Sequence, residues 1–354
     1  MSDNACLLSG GVDSSVALWS LKEGGHDRLR AYYLKIWLED ELSYLGNCPW
    51  EEDLEYARAV CEQAGVPLEV VPLQREYYDR VVSYTVDELK RGRTPSPDIF
   101  CNERIKFGAF FDAVEGGVEK VASGHYAILQ QDGEGKVWLR RSPDPVKDQS
   151  YFLFHLRQEQ LRRILFPIGS MEKREVREKA QALDLPNKDR PDSQGICFLG
   201  KIKYPEFVRY YLGEREGPIV ERETGRKLGS HQGSWFYTIG QRQGLGVGNG
   251  PWYVVDKNFD ENLVYVSHAD HVDHRAPREL TIGELTWLTE APKQEEFLVK
   301  LRHGPALNRA RARRLPEGDK MELTLQEPDR GIAPGQFAVL YDGEYCLGGG
   351  TILG

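Results

Sequence analysis

The sequence predicts a multidomain protein of the α/β plus β class, with an N-terminal doubly wound parallel sheet and a C-terminal unit of short strands. Its 354 residues exceed the length of one ordinary domain, about 100–200 residues. Strand-like and helix-like segments alternate up to about residue 125, which is typical of a parallel sheet with helices on both faces. From about residue 280, short strands between turn signals indicate a small β-barrel or sandwich.

Glycines and apolar spacing define the N-terminal elements. Three predicted helices end at a glycine, because glycine is favoured just after a helix C-terminus. These glycines are Gly24, Gly65 and Gly92. A fourth helix follows Cys101, since apolar side chains recur there at helical spacing over 107–114. The predicted strands are 5–8, 30–38, 67–73 and 119–123, and the first three helices are 12–22, 50–64 and 76–91.

The chain changes character near residue 200. The stretch 201–273 combines a short helix-like segment with the glycine-dense "TIGQRQGLGVGNG" at 238–250. The short strands come after it. We therefore expect three units, at 1–200, 201–273 and 274–354.

Composition places the protein in a general class. Hydrophobic residues make up 40% of the chain and charged residues 29%, which is ordinary for a soluble protein. No apolar run approaches the length of a membrane helix, and the start "MSDNACLLSGG" lacks a basic or apolar leader, so we expect a cytoplasmic protein. The net charge of -9 argues against a general polyanion binder but permits a local basic patch. Six cysteines are too few for a disulfide scaffold.

The stretch "LSGGVDSSV" at 8–16 predicts an anion-binding loop between the first strand and the first helix. Backbone N–H groups, serine hydroxyls and the helix dipole would attract a phosphate there. The loop lacks the lysine that ends a GxxxxGK[ST] phosphate loop. It is better suited to hold a leaving pyrophosphate while chemistry occurs at the α-phosphorus.

Two cysteines have informative neighbours. In "GRTPSPDIFCNERIKF", Asp98 is expected to cap a helix, and Cys101 lies near its first turn with Arg104 and Lys106 close in sequence. A helix N-terminus and nearby positive charge lower a thiol pKa, so Cys101 is a candidate thiolate, and a buried cysteine is the alternative. Cys197, in "RPDSQGICFLG", lies either in an exposed turn or in a core.

The longer motifs resemble a known family. "SGGVDSS" is similar to the signature of the PP-loop ATP-pyrophosphatases, which transfer AMP to a carbonyl oxygen. Together with the two cysteine motifs, five further stretches resemble the bacterial tRNA-specific 2-thiouridylases, in order over nearly the whole chain. These are "ASGHYA", "KDQSYFL", "FPIGSMEKREVR", "TIGQRQGLGVG" and "PGQFAVLYDGE". Ser96 stands where the family usually has Asn, which affects only a contact near the target base.

The resemblance implies a fold and a reaction. The fold is a PP-loop domain of the adenine nucleotide α-hydrolase type, a small central domain and a tRNA-contacting β-barrel. ATP adenylates the O2 of the wobble uridine, and a persulfide on Cys197 then supplies sulfur. Cys101 resolves the persulfide by forming a disulfide with Cys197, and Asp98 is the candidate acid or base. A [4Fe–4S] cluster on Cys101, Cys197 and Asp98 is the alternative, which a lack of a third nearby cysteine makes the less favoured.

The resemblance also implies ligands and partners. ATP, with Mg²⁺ near Asp13, would contact Leu7, Leu8, Ser9, Gly10, Gly11, Val12, Asp13, Ser14, Leu34 and Gly124. The tRNA, for Lys, Glu and Gln, would contact Ser96, Pro97, His125, Lys147, Asp148, Gln149, Arg302, His303 and Gln336. A capped loop histidine and a solvated lysine are the alternatives for His125 and Lys147. A cysteine desulfurase or relay protein would supply the persulfide.

Two basic patches flank these motifs and are candidates for tRNA phosphate contacts. One comprises Arg309, Arg311 and Arg313, which alternate along a predicted strand, with Arg314 beside them. The other comprises Arg162, Arg163, Lys173, Arg174, Arg177 and Lys179. The alternative for each is a solvated face.

Two rival functions share part of this pattern. An amidating synthetase would use the same loop but needs an ammonia source, and no glutaminase-like cysteine with a partner histidine is evident. A non-enzymatic RNA-binding module would not turn over ATP. The paired Cys101 and Cys197 favour the thiolating enzyme.

Overall fold

The computed structural model describes residues 3–26, 28–36, 50–114, 117–192, 203–272, 276–316 and 319–353. Cys48 and Cys197 lie outside these ranges, as does the end of the predicted strand 30–38. Within them, no helix is both long enough and apolar enough to cross a membrane.

A five-stranded parallel sheet forms the N-terminal unit, in the order β3-β2-β1-β4-β7. The central position of β1 places its carboxyl end between two neighbouring strands, where ligands bind in sheets of this class. The strands are β1 Asp3–Leu7, β2 Leu29–Lys35, β3 Leu68–Pro72, β4 Val118–Ala122 and β7 Ile164–Leu165.

Helices cover both faces of this sheet, as predicted. Side chains alternate along β1, so Leu7 packs with Tyr77 and Phe110 on one face, while Cys6 packs with Leu18 and residues of the second helix on the other. The helices are α1 Val12–Glu23, α2 Trp50–Ala64, α3 Gln74–Tyr77, α4 Ser83–Lys90, α5 Pro97–Phe100, α6 Phe110–Ala113, α7 Gln158–Leu161 and α8 Lys173–Ala182. Two π-helical segments, Tyr78–Val82 and Cys101–Ala109, join α3 to α4 and α5 to α6.

The central unit is a helix followed by a four-stranded sheet in the order β10-β11-β8-β9. Its small core includes Ile219, Trp252 and Val264. The elements are α9 Tyr204–Leu212, β8 Gly217–Glu221, β9 Lys227–His231, β10 Trp252–Asn258, β11 Leu263–His268 and α10 Ala269–Val272.

The C-terminal unit is a closed barrel, which decides between the barrel and the sandwich. Six antiparallel strands follow the order β12-β15-β14-β13-β16-β17, and pairing of β12 with β17 closes the ring. Closure leaves no unpaired sheet edge within the ring. The strands are β12 Glu279–Trp287, β13 Glu296–Lys300, β14 Asn308–Arg314, β15 Lys320–Leu325, β16 Phe337–Asp342 and β17 Tyr345–Ile352.

A hairpin that the sequence analysis did not predict joins the N-terminal unit to the barrel. Strands β5 Ala127–Gln131 and β6 Val137–Arg141 follow the "SGHY" motif, and β6 pairs with β17. Close to this junction, Lys300 Nζ of β13 lies 2.6 Å from Asp148 Oδ2, and both side chains are fully buried. The hairpin therefore extends the barrel sheet, and a buried ion pair also links the N-terminal unit to the barrel.

Candidate nucleotide and thiolation site

The loop "LSGGVDSS" lies where the sequence predicts, between the carboxyl end of β1 and the start of α1. Ser14 Oγ donates to the Gly11 carbonyl at 3.0 Å and accepts from the Ser9 N–H at 3.2 Å. Gly10 takes a φ of 74°, a conformation that glycine adopts without strain. The hydroxyl of Ser14 therefore fixes the turn that presents the first N–H groups of α1.

Two further residues of the predicted ATP set lie on or directly after the strands that flank β1. Leu34 lies near the carboxyl end of β2, beside β1. Gly124 follows β4 and lies so close that a Cβ there would be 2.7 Å from the Ser14 nitrogen. Only glycine fits at that position without moving the loop.

Asp13, in the first turn of α1, is held by two donors. Tyr126 Oη donates to its Oδ1 at 2.8 Å, and Lys173 Nζ donates to the same oxygen at 2.7 Å. Burial, followed by the charge of Asp13, raises the pKa of Tyr126 far above its usual range, so this phenol stays protonated. Sequence reasoning placed Lys173 in a basic patch and missed its contact with the loop.

The Asp192 carboxylate forms ion pairs with three cationic side chains, one of which also binds Asp13. Its carboxylate accepts from Lys147 at 2.6 Å and from Lys173 at 2.8 Å, and it pairs with Arg177. Burial works to raise the pKa of Asp192, but the hydrogen bonds from Lys147 and Lys173 outweigh it and hold the pKa well below its usual range. Lys147 is therefore not the solvated lysine of the alternative interpretation.

The described part of the thiol site lies on α5 and the following π-helical segment. Ser96 occupies the N-cap position and Asp98 lies in the first turn, so the prediction that Asp98 caps the helix is wrong. Pro97 is buried at the start of the helix, and Cys101 is 1% exposed within the main hydrophobic core. The guanidinium carbon of Arg104 lies 3.8 Å from the centre of the Phe100 ring. The immediate surroundings of Cys101 are thus less polar than its sequence neighbours indicate.

The candidates for tRNA contact near the loop are well packed. His125 is 7% exposed, and its Nδ1 lies 2.7 Å from Ser123 Oγ. Burial, followed by the charge of Lys106, holds the pKa of His125 well below its usual value, which keeps the ring neutral. Gln149 Oε1 accepts from the Tyr126 N–H at 3.0 Å. The geometry thus favours a packed loop histidine. Gln149 holds the backbone of Tyr126, whose hydroxyl donates to Asp13.

The candidates on the barrel side have partners of their own. Arg302 forms a double hydrogen bond with Asp329, at 2.7 and 3.0 Å, and His303 stacks on Phe152 with ring centroids 4.7 Å apart. Asp148 is 1% exposed and pairs with Lys300, so its described contacts are structural. Gln336 precedes β16, and its carbonyl accepts from the Ile352 N–H at 2.7 Å.

The basic patches are partly neutralised by carboxylates. Arg309, Arg311 and Arg313 do share the exposed face of β14, as predicted. However, Arg311 lies 2.8 Å from Glu295, and Arg313 lies 2.8 Å from Glu322.

The second patch is similarly engaged within the chain. Lys179 lies 2.7 Å from Glu23, and Arg163 donates to the Val118 carbonyl at 2.9 Å. Lys173 and Arg177 bind Asp192, as described above. Lys173 and Arg177 of this patch therefore serve the loop region, whereas Arg162 and Arg174 stay exposed.

Comparison with known proteins agrees with this architecture. Three family models match the chain: the tRNA methyl transferase HUP domain over 3–201, the tRNA methyl transferase PRC-barrel domain over 205–268 and the aminomethyltransferase β-barrel domain over 277–352. A solved U34-tRNA thiolase, NcsA from Methanococcus maripaludis with its [4Fe–4S] cluster, is a distant match. It has 18% identity and a TM-score of 0.34, over 59% of this chain and 70% of that one.

Curated relatives match much more closely. The tRNA-specific 2-thiouridylase MnmA of Parabacteroides distasonis is 45% identical over 99% of this chain and 98% of that protein. The tRNA-specific 2-thiouridylase MnmA 1 of Bacteroides thetaiotaomicron is 46% identical over 98% of this chain and 99% of that protein. Identity at this level over the full length confirms the resemblance found in the motifs, and the chain belongs to the tRNA-specific 2-thiouridylase family.

Proposed function

We propose that this protein is a tRNA sulfurtransferase that replaces the 2-oxygen of a wobble uridine with sulfur, at the expense of ATP. The observation that carries the proposal is the loop after β1, with Gly124 packed against it, in a chain of the 2-thiouridylase family. We assign adenylation and thiolation to 1–200, linkage to 201–273 and tRNA contact to the barrel at 274–354.

The loop would hold ATP through backbone N–H groups at the start of α1. The residues proposed to contact ATP are those that the resemblance implies: Leu7, Leu8, Ser9, Gly10, Gly11, Val12, Asp13, Ser14, Leu34 and Gly124. Lys173, already at the loop through Asp13, adds a positive charge that can face the departing pyrophosphate. In-line attack by the uridine O2 on the α-phosphorus would release pyrophosphate and leave AMP on the base.

Asp13 suits a Mg²⁺ ion that is bound mainly by phosphates. Its Oδ1 is occupied by Tyr126 and Lys173, and the described residues contain no group of three His, Cys, Asp or Glu side chains that could hold a metal. Mg²⁺ is often bound through one or two carboxylates plus substrate phosphates, so one carboxylate is sufficient here. The ion would neutralise charge on the leaving pyrophosphate.

Sulfur transfer follows adenylation. The terminal sulfur of a Cys197 persulfide attacks C2 of the uridine, and AMP leaves with the former O2. The Cys101 thiolate then attacks the Cys197 sulfur, which releases 2-thiouridine and leaves a Cys101–Cys197 disulfide. An external thiol must reduce this disulfide, and a persulfide donor such as a cysteine desulfurase or relay protein must recharge Cys197. Asp98, three residues before Cys101, is the proposed acid or base.

A [4Fe–4S] cluster is the less favoured alternative. Protein-bound clusters are usually held by cysteine thiolates. The resemblance would give this cluster only two of them, Cys101 and Cys197, with Asp98 as its third ligand.

The descriptions of two matching family models name methyl transfer, which is the rival activity. A methyl transferase has no use for a loop that holds pyrophosphate. Release of pyrophosphate that depends on tRNA would therefore favour thiolation, whereas transfer of a labelled methyl group to tRNA would favour the rival.

The test of the proposed chemistry is Cys197→Ser, with Cys346→Ser as a control thiol in the barrel. A serine oxygen carries no transferable sulfur, so we expect Cys197→Ser to bind ATP and release pyrophosphate but to make no 2-thiouridine. Cys346→Ser should keep the activity. Formation of 2-thiouridine by Cys197→Ser, measured by mass spectrometry of tRNA nucleosides, would refute the assignment.

A further inference from the structure

The carbonyl oxygen of Gly10, in the middle of the phosphate loop, is held by two side chains from a distant part of the sequence. Asn187 Nδ2 donates to it at 2.8 Å, and Arg190 Nη1 donates to it at 3.1 Å. A carbonyl oxygen has two lone pairs, so these two donors satisfy it. Both donors lie in the segment that follows α8.

Holding this oxygen fixes the direction of the next N–H. The C=O of Gly10 and the N–H of Gly11 belong to one planar trans peptide unit and point in opposite directions. Gly11 is the N-cap residue of α1, at the end of the helix that attracts anions. The two donors therefore determine where the Gly11 N–H points, without touching a ligand there.

The two donors are themselves anchored. Asn187 is 1% exposed, and its Nδ2 also donates to Ser15 Oγ of α1 at 2.9 Å. The Arg190 guanidinium pairs with Asp53 of α2 and lies 4.8 Å from the centre of the Tyr56 ring.

The loop has no room to relax toward α2 either, since a Cβ on Gly10 would be 2.3 Å from the Asp53 carbonyl oxygen. The Gly10 carbonyl is thus held by two donors, while its Cα packs against the backbone of Asp53. This arrangement prepares the loop for its ligand before the ligand arrives.

We infer that Asn187 and Arg190 are positioning residues for the pyrophosphate portion of ATP, acting through the Gly10–Gly11 peptide. This inference rests on the proposed function, in which the loop holds the leaving pyrophosphate. It specifies the recognised group: the β- and γ-phosphates, and neither the adenine nor the ribose.

The test is calorimetric titration of the full chain with ATP, inorganic pyrophosphate and AMP. Each variant removes one hydrogen bond to the Gly10 carbonyl. From the net contribution of one such bond, we expect Asn187→Ala and Arg190→Gln each to weaken ATP and pyrophosphate binding about 3- to 10-fold. AMP affinity should change less than about twofold. A merely structural role would weaken all three ligands together.

The matched control is Gln181→Ala. Gln181 bonds Asp189, next to Arg190, at 2.9 Å but does not contact the loop, so this variant should bind all three ligands as the wild type does. Arg190 is partly exposed, which keeps Arg190→Gln informative if the buried Asn187→Ala fails to fold.

The outcomes separate the inference from the proposed function. Unchanged pyrophosphate affinity in Arg190→Gln, or equal losses for AMP and pyrophosphate, would overturn the inference. Wild-type protein that binds neither ATP nor pyrophosphate would instead contradict the proposed function.

Discussion

Single residues at the phosphate loop join parts of the sequence that are far apart. Lys173 and Tyr126 meet on one oxygen of Asp13, and Asn187 meets Gly10. The loop itself could be predicted because its glycines and serines are adjacent and have local consequences. Its partners could not, because hydrophobic periodicity and turn chemistry report only near neighbours. The family motifs "SGHY" and "FPIGSMEKREVR" indicated these regions without indicating their contacts.

Removing the carboxylate of Asp13 should stop adenylation. Asp13→Ala takes away one of the two carboxylate partners of Lys173 and the proposed metal contact. We therefore expect tRNA-dependent pyrophosphate release to fall at least about 100-fold, as for loss of a preorganised electrostatic group. Asp270→Ala, at an exposed carboxylate of the central unit, is the control. Pyrophosphate release at the wild-type rate in Asp13→Ala would show that ATP reacts elsewhere.

His125 should remain neutral throughout the usual assay range. Its lowered pKa means that the folded protein binds this proton only well below pH 6.5, whereas the unfolded chain binds it near 6.5. Stability from the neutral ring is therefore present above pH 6.5 and is lost as the pH falls. In an NMR titration, the signal that disappears in His125→Phe should not shift between pH 8 and about 6.5. A midpoint near 6.5 would contradict the burial argument.

At the scale of elements, the β5–β6 hairpin and the residues after it tie the N-terminal unit to the barrel. The alternation of helices and strands predicted the parallel sheet, and the short strands near the C-terminus predicted a barrel or sandwich. The pairing of β6 with β17 joins residues near 140 to residues near 345, and local patterns carry no information about such a pairing. The buried Lys300–Asp148 pair escaped prediction for the same reason.

Breaking the buried pair should destabilise the junction strongly. Asp148→Ala leaves the Lys300 charge without its carboxylate in the interior, so we expect the free energy of unfolding to fall by about 3–5 kcal/mol. The double variant Asp148→Leu/Lys300→Met should regain only part of this loss, because it removes the Lys300 charge but still leaves Arg141, 3.2 Å from the Asp148 carboxylate, without that partner. Urea unfolding monitored by tryptophan fluorescence measures both. A loss below about 1 kcal/mol in Asp148→Ala, as for an exposed pair, would contradict the argument.

At the scale of the whole molecule, an acidic chain must bind an acidic polymer. The three arginines on the outer face of β14 offer a stripe for phosphates, although Glu295 and Glu322 already pair with Arg311 and Arg313. The sequence predicted that these arginines share a face, because strand side chains alternate. It could not show their acidic partners, which come from the residue before β13 and from β15.

Replacing all three arginines with alanine should therefore weaken tRNA binding less than removing three unpaired cations would. Each phosphate that the protein no longer neutralises reduces the slope of log affinity against log salt by about 0.7–0.9. We expect the slope of the triple variant to be smaller by about 1, and we expect Arg309→Ala alone to reproduce most of this change in slope. Substrate choice should persist, since phosphate contacts carry no sequence information. Arg75→Ala, at an exposed arginine of α3, is the control, and an unchanged slope in the triple variant would make β14 a solvated face.

The most direct measurement of the proposed activity follows pyrophosphate release and nucleoside mass in one reaction. The wild-type protein is incubated with ATP, Mg²⁺, a persulfide donor, a thiol reductant and an unmodified tRNA for Lys, Glu or Gln. We predict one pyrophosphate released for each 2-thiouridine formed, and neither product when ATP is omitted. Pyrophosphate release without tRNA, or tRNA that gains no sulfur while ATP is consumed, would contradict 2-thiolation as the function of this chain.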